Sequence, residues 1–168
     1  VLSFLVVGHI GYMIMGLGLY TSLALAGSIF YIVHHVVVVT CLFMTSGLTL
    51  RLTGTDRLQA MGGLYRSQPL LAGLFLVPAL SLAGVPPLSG FWGKLALLYA
   101  GLDQQQYLLV AVALAGSLLT LMAVVRIWNE AFWKPAAQGP AERPAGPAAM
   151  LLPVGALALL AVVIGLVA

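Results

Sequence analysis

Residues 84–101 read GVPPLSGFWGKLALLYAG, and this stretch decides how the chain can cross a membrane. Pro86 and Pro87 lack backbone N–H groups and disfavour helix in the residue before them. Gly84, Gly90 and Gly93 loosen the chain further. The stretch therefore predicts a helix break, which either lines a polar cavity within a discontinuous helix or forms a tight loop at the membrane surface. The pattern leaves both interpretations open.

Lys94 follows this break by about two helical turns and lies among apolar residues. An ammonium group at the centre of a membrane helix costs ~2.5–3.5 kcal/mol on insertion scales. Such a lysine is either a proton-exchanging group beside a hydrated break or an anchor that extends towards the lipid headgroups. We expect the first role.

The composition of the whole chain is that of an integral membrane protein. The 168 residues are 62% hydrophobic and 7% charged, whereas a soluble domain is about 25% charged. The net charge of +3 is spread along the chain, so it does not form a patch for nucleic acid. Cys41 is the single cysteine, which excludes an intrachain disulfide and a multi-cysteine metal site.

Apolar runs of about 20 residues predict an all-α, polytopic bundle with about six transmembrane segments and one short or discontinuous helix. We treat residues 1–168 as a single transmembrane domain. The predicted segments are about 1–20, 23–50, 70–85, 91–102, 107–128 and 149–168. Residues 134–148 contain four prolines and predict an extended linker.

Counting each segment as a crossing places 51–69 and 103–106 on one face of the membrane and 129–148 on the other. The basic residues then divide evenly between the two faces, three on each. One face holds Arg51, Arg57 and Arg66, and the other holds Arg126, Lys134 and Arg143. The positive-inside rule consequently does not orient the chain from sequence alone.

His34 and His35 lie near the centre of the second segment. Imidazole titrates near neutral pH and both donates and accepts hydrogen bonds, so a central pair indicates a proton relay. The alternative is an interhelical packing contact. His9, within GHIGYMIMG, is a third candidate for proton transfer, and close helix packing explains it equally well.

Arg126 and Glu130 are four residues apart, and we expect them to form an ion pair near the interface. No carboxylate lies near the histidine pair, so a structural metal site is not predicted. We also assign no catalytic residue.

Four motifs together resemble the proton-translocating antiporter-like membrane subunits that respiratory complex I shares with Mrp-type multisubunit sodium/proton antiporters. They are SLAGVPPLSGFWGK (81–94), YIVHHVVVVTCLFMTSG (31–47), GHIGYMIMGLG (8–18) and RIWNEAFW (126–133). The double histidine and IWNEAFW favour the Mrp-type members.

The resemblance implies a fold of about 14 helices built from two inverted repeats, of which this chain corresponds to the ninth to fourteenth. Lys94 then matches the buried lysine of the twelfth helix. His34 and His35 fall on the tenth helix, which the resemblance implies is broken. Where the family usually has a lysine four residues after the second histidine, this chain has Val39. The chain is apolar from Val1 onwards, so we expect a C-terminal fragment of a longer subunit.

These features predict a membrane subunit of a monovalent cation (Na⁺)/proton antiporter in a prokaryotic cell membrane. Its expected partners are other membrane subunits, lipid, protons and Na⁺, with no cofactor and no nucleic acid. The expectation is a secondary transporter subunit and not an enzyme, or otherwise a membrane subunit of a translocase of the NADH:quinone oxidoreductase type. The alternative is a proton-pumping membrane subunit of complex I or a membrane-bound hydrogenase. A remnant that does not transport is a third hypothesis, which Val39 favours.

Overall fold

The computed structural model describes residues 2–135 and 148–168, which form helices and no strand. The predicted linker 134–148 therefore lies mostly outside the described residues. The helices are α1 (Leu2–Leu19), α2 (Ser22–Thr53), α3 (Leu64–Ser67), α4 (Pro69–Ala83), α5 (Ser89–Asp103), α6 (Tyr107–Trp128) and α7 (Ala148–Val167). A 3₁₀ turn at Leu58–Ala60 precedes α3, and a π-helical turn at Asn129–Trp133 extends α6.

The predicted all-α membrane bundle is confirmed. Four helices are long and apolar enough to cross a membrane, namely Leu2–Leu19, Ser22–Thr53, Tyr107–Trp133 and Met150–Val167. By contrast, α4 and α5 have 15 residues each, or about 22 Å, which is less than the ~30 Å of a hydrocarbon core.

Helix α2 is the central element, and it is continuous over 32 residues. The Thr21 side chain caps its start by accepting a hydrogen bond from the backbone N–H of Ala24, and Gly54 ends it in the left-handed conformation. No proline interrupts the run between these caps. The broken helix that the resemblance implied at His34 and His35 is therefore absent. Both histidines instead lie on one intact helix.

Helices α4 and α5 lie end to end along α2. As the chain advances from Leu71 to Leu97, its neighbours on α2 move backwards, from Leu48 to Gly27. Intermediate contacts show the same order: Leu82 clusters with Val38, Ser89 bonds to His34, and Gly93 lies against Tyr31. A hairpin would reverse this order after the break. The two short helices thus form one discontinuous crossing that runs antiparallel to α2.

The break between these two helices occurs at mid-length rather than at an end of the bundle. Gly84 ends α4 with a φ of 90°, a left-handed conformation that glycine tolerates, and its N–H bonds to the carbonyls of Leu80 and Ser81. The chain then passes through Pro86 and Pro87 before α5 begins. Because the break lies beside His34, near the centre of α2, it is not a loop at the membrane surface.

The topology prediction is wrong in consequence, because α4 and α5 make one crossing instead of two. The Gly63 N–H donates to the carbonyl of Lys134 at 2.6 Å, which places 129–135 on the same face as 54–68. Gly101 lies against Met15 and close to Leu19, at the opposite end of the bundle. Residues 103–106 therefore lie on the face opposite 54–68.

This arrangement gathers the basic residues of the described chain on one face, with Lys94 as the exception inside the bundle. That face holds Arg51, Arg57, Arg66, Arg126 and Lys134, and the opposite turn at 103–106 contains Asp103 and three glutamines. The positive-inside rule can now orient the chain, and we expect the arginine-rich face to be cytoplasmic.

Cysteine labelling tests this orientation. A cysteine introduced at exposed Gln59 should react with an impermeant maleimide only from the cytoplasmic side, and one at Gln104 only from the outer side. The native Cys41 is buried, so the unmodified chain provides the background signal. Labelling of both positions from one side would contradict the single discontinuous crossing.

Candidate functional site

The four residues predicted for proton transfer lie in one buried polar region at the level of the break. The exposed fractions of His9, His34, His35 and Lys94 are 1%, 0%, 7% and 4%. They come from α1, α2 and α5, and two tyrosines lie between them. The predicted residues are thus brought together, although no two of them bond directly to each other.

Lys94 caps the broken end of α4. Its ammonium Nζ donates hydrogen bonds to the carbonyls of Leu82 at 2.9 Å and Ala83 at 3.0 Å. A helix end leaves its last carbonyls without intrahelical partners, and the partial negative charge there favours a cation. Lys94 is buried and bonds inside the bundle, so the headgroup-anchor interpretation is wrong.

Tyr12 on α1 supports the lysine from the other side. Its ring centroid lies 5.1 Å from Lys94 Nζ, within range of a cation–π interaction. The Tyr12 hydroxyl donates to the carbonyl of Ala113 and contacts the Ser117 hydroxyl at 2.6 Å. Helices α1 and α6 therefore fix the position of the ring beside the break.

His34 connects α2 to both sides of the break through two serines. Its Nδ1 lies 2.7 Å from the hydroxyl of Ser89, which lies 3.0 Å from that of Ser81. Ser81 also accepts a weak hydrogen bond from the N–H of Gly90 at 3.4 Å. Ser81 and Ser89 are fully buried, so these bonds satisfy polar groups that would be costly to leave unpaired.

His9 belongs to a second hydrogen-bonded group. Its Nδ1 lies 2.5 Å from the Tyr31 hydroxyl, and its Nε2 lies 3.5 Å from the Thr120 hydroxyl. Because Thr120 donates to the carbonyl of Gly116 at 2.8 Å, it accepts from His9 Nε2–H. His9 Nδ1 is then the acceptor, and Tyr31 donates to it. Helices α1, α2 and α6 meet in this group.

His35 lies beside the group that contains His9 and Tyr31. Its ring centroid is 5.7 Å from that of His9 and 6.4 Å from that of Tyr31. Within the described residues, the Nε2 atoms of His34 and His35 are buried without a hydrogen-bond partner. Either atom could take part in a further hydrogen bond, because imidazole nitrogens both donate and accept.

Glycines allow α5 to approach α2 and α4 this closely. A Cβ atom at Gly93 would lie 2.9 Å from the Tyr31 ring. One at Gly90 would lie 2.9 Å from His34 Nε2 and would overlap the carbonyl oxygen of Ser81. A side chain at Gly90 would therefore push the start of α5 away from His34 and Ser81, and one at Gly93 would push against Tyr31.

We expect Gly93→Ala to destabilise the bundle by about 1–3 kcal/mol, because the added methyl group must displace the fully buried Tyr31 ring. Gly73→Ala is the matched control, since a Cβ there meets nothing within 4 Å. The measurement is the thermal unfolding of the two purified variants. Equal melting temperatures would contradict the close contact between α5 and α2.

The predicted ion pair between Arg126 and Glu130 is wrong. Glu130 pairs with Lys134 instead, with 3.2 Å between carboxylate Oε2 and ammonium Nζ. Lys134 also donates to the backbone carbonyl of Gln59 at 3.2 Å. These contacts between 129–135 and 54–68 hold the Lys134 side chain beside Glu130.

Sequence reasoning missed the tyrosines and hydroxyl residues that complete the site. Tyr31 precedes His34 by three residues, so helical spacing could have placed both on one face of α2. Ser81, Ser89 and Thr120 had no such signal. Each is ordinary in a membrane helix until the fold brings it to a histidine or another hydroxyl group.

Comparison with known proteins identifies the family. Residues 1–120 match the family described as "NADH:quinone oxidoreductase/Mrp antiporter, TM". The chain belongs to this family. The predicted membership is confirmed, and Lys94 and the three histidines all lie within the matched residues.

Relatives and solved structures agree with this assignment. The chain is 44% identical over 168 residues to the D-type subunit of the Na(+)/H(+) antiporter of Alkalihalophilus pseudofirmus, covering 100% of this chain and 34% of that protein. It matches the Mrp complex from Dietzia sp. DQ12-45-1b with a TM-score of 0.86 and 31% identity, over 98% of this chain and 39% of that one. The chain thus spans about a third of the first of these two proteins and about two fifths of the second.

A third match is to an archaeal respiratory membrane complex, the membrane-bound sulfane sulfur reductase. Its TM-score is 0.84 at 28% identity, and it covers 94% of this chain and 26% of that chain. Antiporter-type and respiratory complexes therefore share the helix arrangement described above.

Proposed function

We propose that this chain is the proton-conducting part of a membrane subunit of a multisubunit Na⁺/proton antiporter. The observation that supports this most directly is the buried ammonium group of Lys94 at a helix break, in the same buried polar region as His34 and His35, whose Nε2 atoms have no hydrogen-bond partner among the described residues. Buried ionisable groups inside a membrane bundle are a general sign of an ion or proton pathway. The similarity to a component of an Na(+)/H(+) antiporter points to Na⁺ as the counter-ion.

In this proposal Lys94 is the group that gains and loses a proton. The carbonyls of Leu82 and Ala83 stabilise its ammonium form, and the Tyr12 ring favours the charged form as well. Loss of the proton weakens all three contacts together. The protonation state of Lys94 is thereby coupled to how firmly α5 is attached to the end of α4.

The histidines would transfer protons across the bundle. An imidazole that binds a proton at Nε2 can release the proton at Nδ1 to its hydrogen-bond partner. For His34 that partner is the Ser89 hydroxyl, which leads to Ser81 and the break. His35 would exchange protons on the side of His9. Val39 cannot take part, since its side chain has no titratable group.

The proposed partners are the other membrane subunits of a hetero-oligomeric complex, and the proposed location is the plasma membrane of a prokaryote. A second candidate function is proton translocation in a respiratory membrane complex, which the match to the sulfane sulfur reductase favours. Proton flux that requires Na⁺ indicates the antiporter, and flux that follows redox turnover without Na⁺ indicates the second candidate.

Substitution of Lys94 tests the central proposal. In an assembled complex that contains this chain, Lys94→Ala should abolish or greatly reduce Na⁺-coupled proton flux in everted membrane vesicles. Lys94→Arg keeps a positive charge but cannot release a proton near neutral pH, so it should fail almost as severely. Lys134→Arg, on the cytoplasmic face, is the matched control and should retain flux. With protein levels equalised, near-normal flux in Lys94→Arg would remove Lys94 from the pathway.

We further expect His35 to contribute more to proton transfer than His9. His35→Ala should reduce flux without lowering the amount of assembled complex, because His35 has an unpartnered nitrogen where a proton can bind. His9→Ala should mainly impair assembly, since His9 bonds to Tyr31 and Thr120 on two other helices. The measurements are flux and complex yield for both variants. Normal flux in His35→Ala with poor assembly would support a packing role instead.

A further inference from the structure

An amphipathic groove opens on the arginine-rich face, away from the buried site. Its volume is about 770 Å³, and the chain around 57–59 and one side of α6 form its walls. The apolar part consists of Leu58, Met122, Ala123 and Ile127. Its polar part consists of Arg57, Gln59, Arg126 and Glu130.

The groove has an excess of positive charge. Glu130 is its one acidic residue, and Lys134 already pairs with that carboxylate at 3.2 Å. Across residues 2–135 and 148–168, neither Arg57 nor Arg126 has an ion pair or a side-chain hydrogen bond. Two exposed guanidinium groups thus face the same groove without a counter-charge.

The surface of α6 continues the groove towards the centre of the membrane. Leu114, Leu118 and Met122 follow one another at intervals of four residues, and their exposed fractions are 52%, 60% and 60%. Arg126 is the next position in this series. From Leu114 to Arg126 the helix rises about 18 Å, close to half the ~30 Å thickness of a hydrocarbon core. An apolar stripe one leaflet long therefore leads to an arginine.

Aromatic residues place the arginines at headgroup depth. Trp128 and Tyr65 pack against each other on the same face of the bundle, with 6.2 Å between ring centroids, and Trp133 is 71% exposed. Tryptophan and tyrosine concentrate where hydrocarbon meets headgroups. Arg126 is two residues from Trp128 and lies near the same level.

We propose that this groove binds an anionic phospholipid of the cytoplasmic leaflet. Arg57 and Arg126 bind the phosphate, because guanidinium groups form paired hydrogen bonds with phosphate oxygens. An acyl chain lies along Met122, Leu118 and Leu114. Basic pockets between transmembrane helices on the cytoplasmic side are suited to such headgroups. Neither the proposed proton pathway nor Na⁺ transport is required for this site, which lies apart from Lys94 and the histidines.

Lipid binding to the complex that contains this chain tests the proposal. Native mass spectrometry would compare binding of phosphatidylglycerol and phosphatidylcholine to the delipidated complex, with inorganic phosphate as a third ligand. The double variant Arg57→Gln/Arg126→Gln should weaken phosphatidylglycerol binding by a factor on the order of ten or more, since charged hydrogen bonds are lost. Arg66→Gln is the matched control. It removes an exposed arginine from the same face but not from the groove, and should change nothing.

A second variant tests the apolar wall with the charges unchanged. Ala123→Trp should fill the groove and lower phosphatidylglycerol binding, while both arginines remain. Binding of phosphatidylcholine as tight as that of phosphatidylglycerol would overturn the proposal for an anionic lipid. Binding of inorganic phosphate that depends on the two arginines to the same degree, without an acyl chain, would show a small-anion site and would also overturn it. Unchanged phosphatidylglycerol binding in the double variant would show that the lipid binds elsewhere on the complex, and would likewise overturn the proposal.

Discussion

Inside a membrane, backbone carbonyls freed by a helix break must find partners within the protein. Here the carbonyls of Leu82 and Ala83 bond to the ammonium group of Lys94, which lies one helix later. A buried cation and an open helix end are each unfavourable in lipid, and each supplies what the other lacks. This mutual satisfaction allows α4 and α5 to act as two halves of one crossing, and the rest of the structure depends on that.

The discontinuous crossing determines where everything else lies. Because the halves run end to end along α2, they count as one crossing, and α6 is the second crossing between 54–68 and 129–135. Two crossings return the chain to the same side of the membrane, so both segments meet on one face. Within residues 2–135 and 148–168 the basic residues gather there, except Lys94, which lies in the interior. The same alignment brings Ser81 and Ser89, from opposite sides of the break, to the imidazole of His34. Orientation, surface charge and the buried site are thus consequences of one geometric feature.

The buried polar region consists of separate hydrogen-bonded groups rather than one continuous chain. One group joins His34 to the two serines, and another joins His9 to Tyr31 and Thr120. Lys94 forms a third with the carbonyls of α4. Among the described residues, the Nε2 atoms of His34 and His35 have no hydrogen-bond partner. In the proposed function, a proton could pass from one group to the next only with small movements of the side chains between them.

The sequence by itself determined the membrane class, the helical content, the position of the break and the selection of Lys94 and the histidines as candidates for proton transfer. These features follow from local properties: apolar run length, the missing N–H of proline, and the cost of charge in lipid. Only the tertiary structure decided that α2 is continuous, that α4 and α5 form one crossing, and that Glu130 pairs with Lys134 rather than Arg126. Each of these depends on which distant segments meet. The sequence around Pro86 and Pro87 is compatible with both a hairpin and an end-to-end break, and packing of both helices against α2 selects the second.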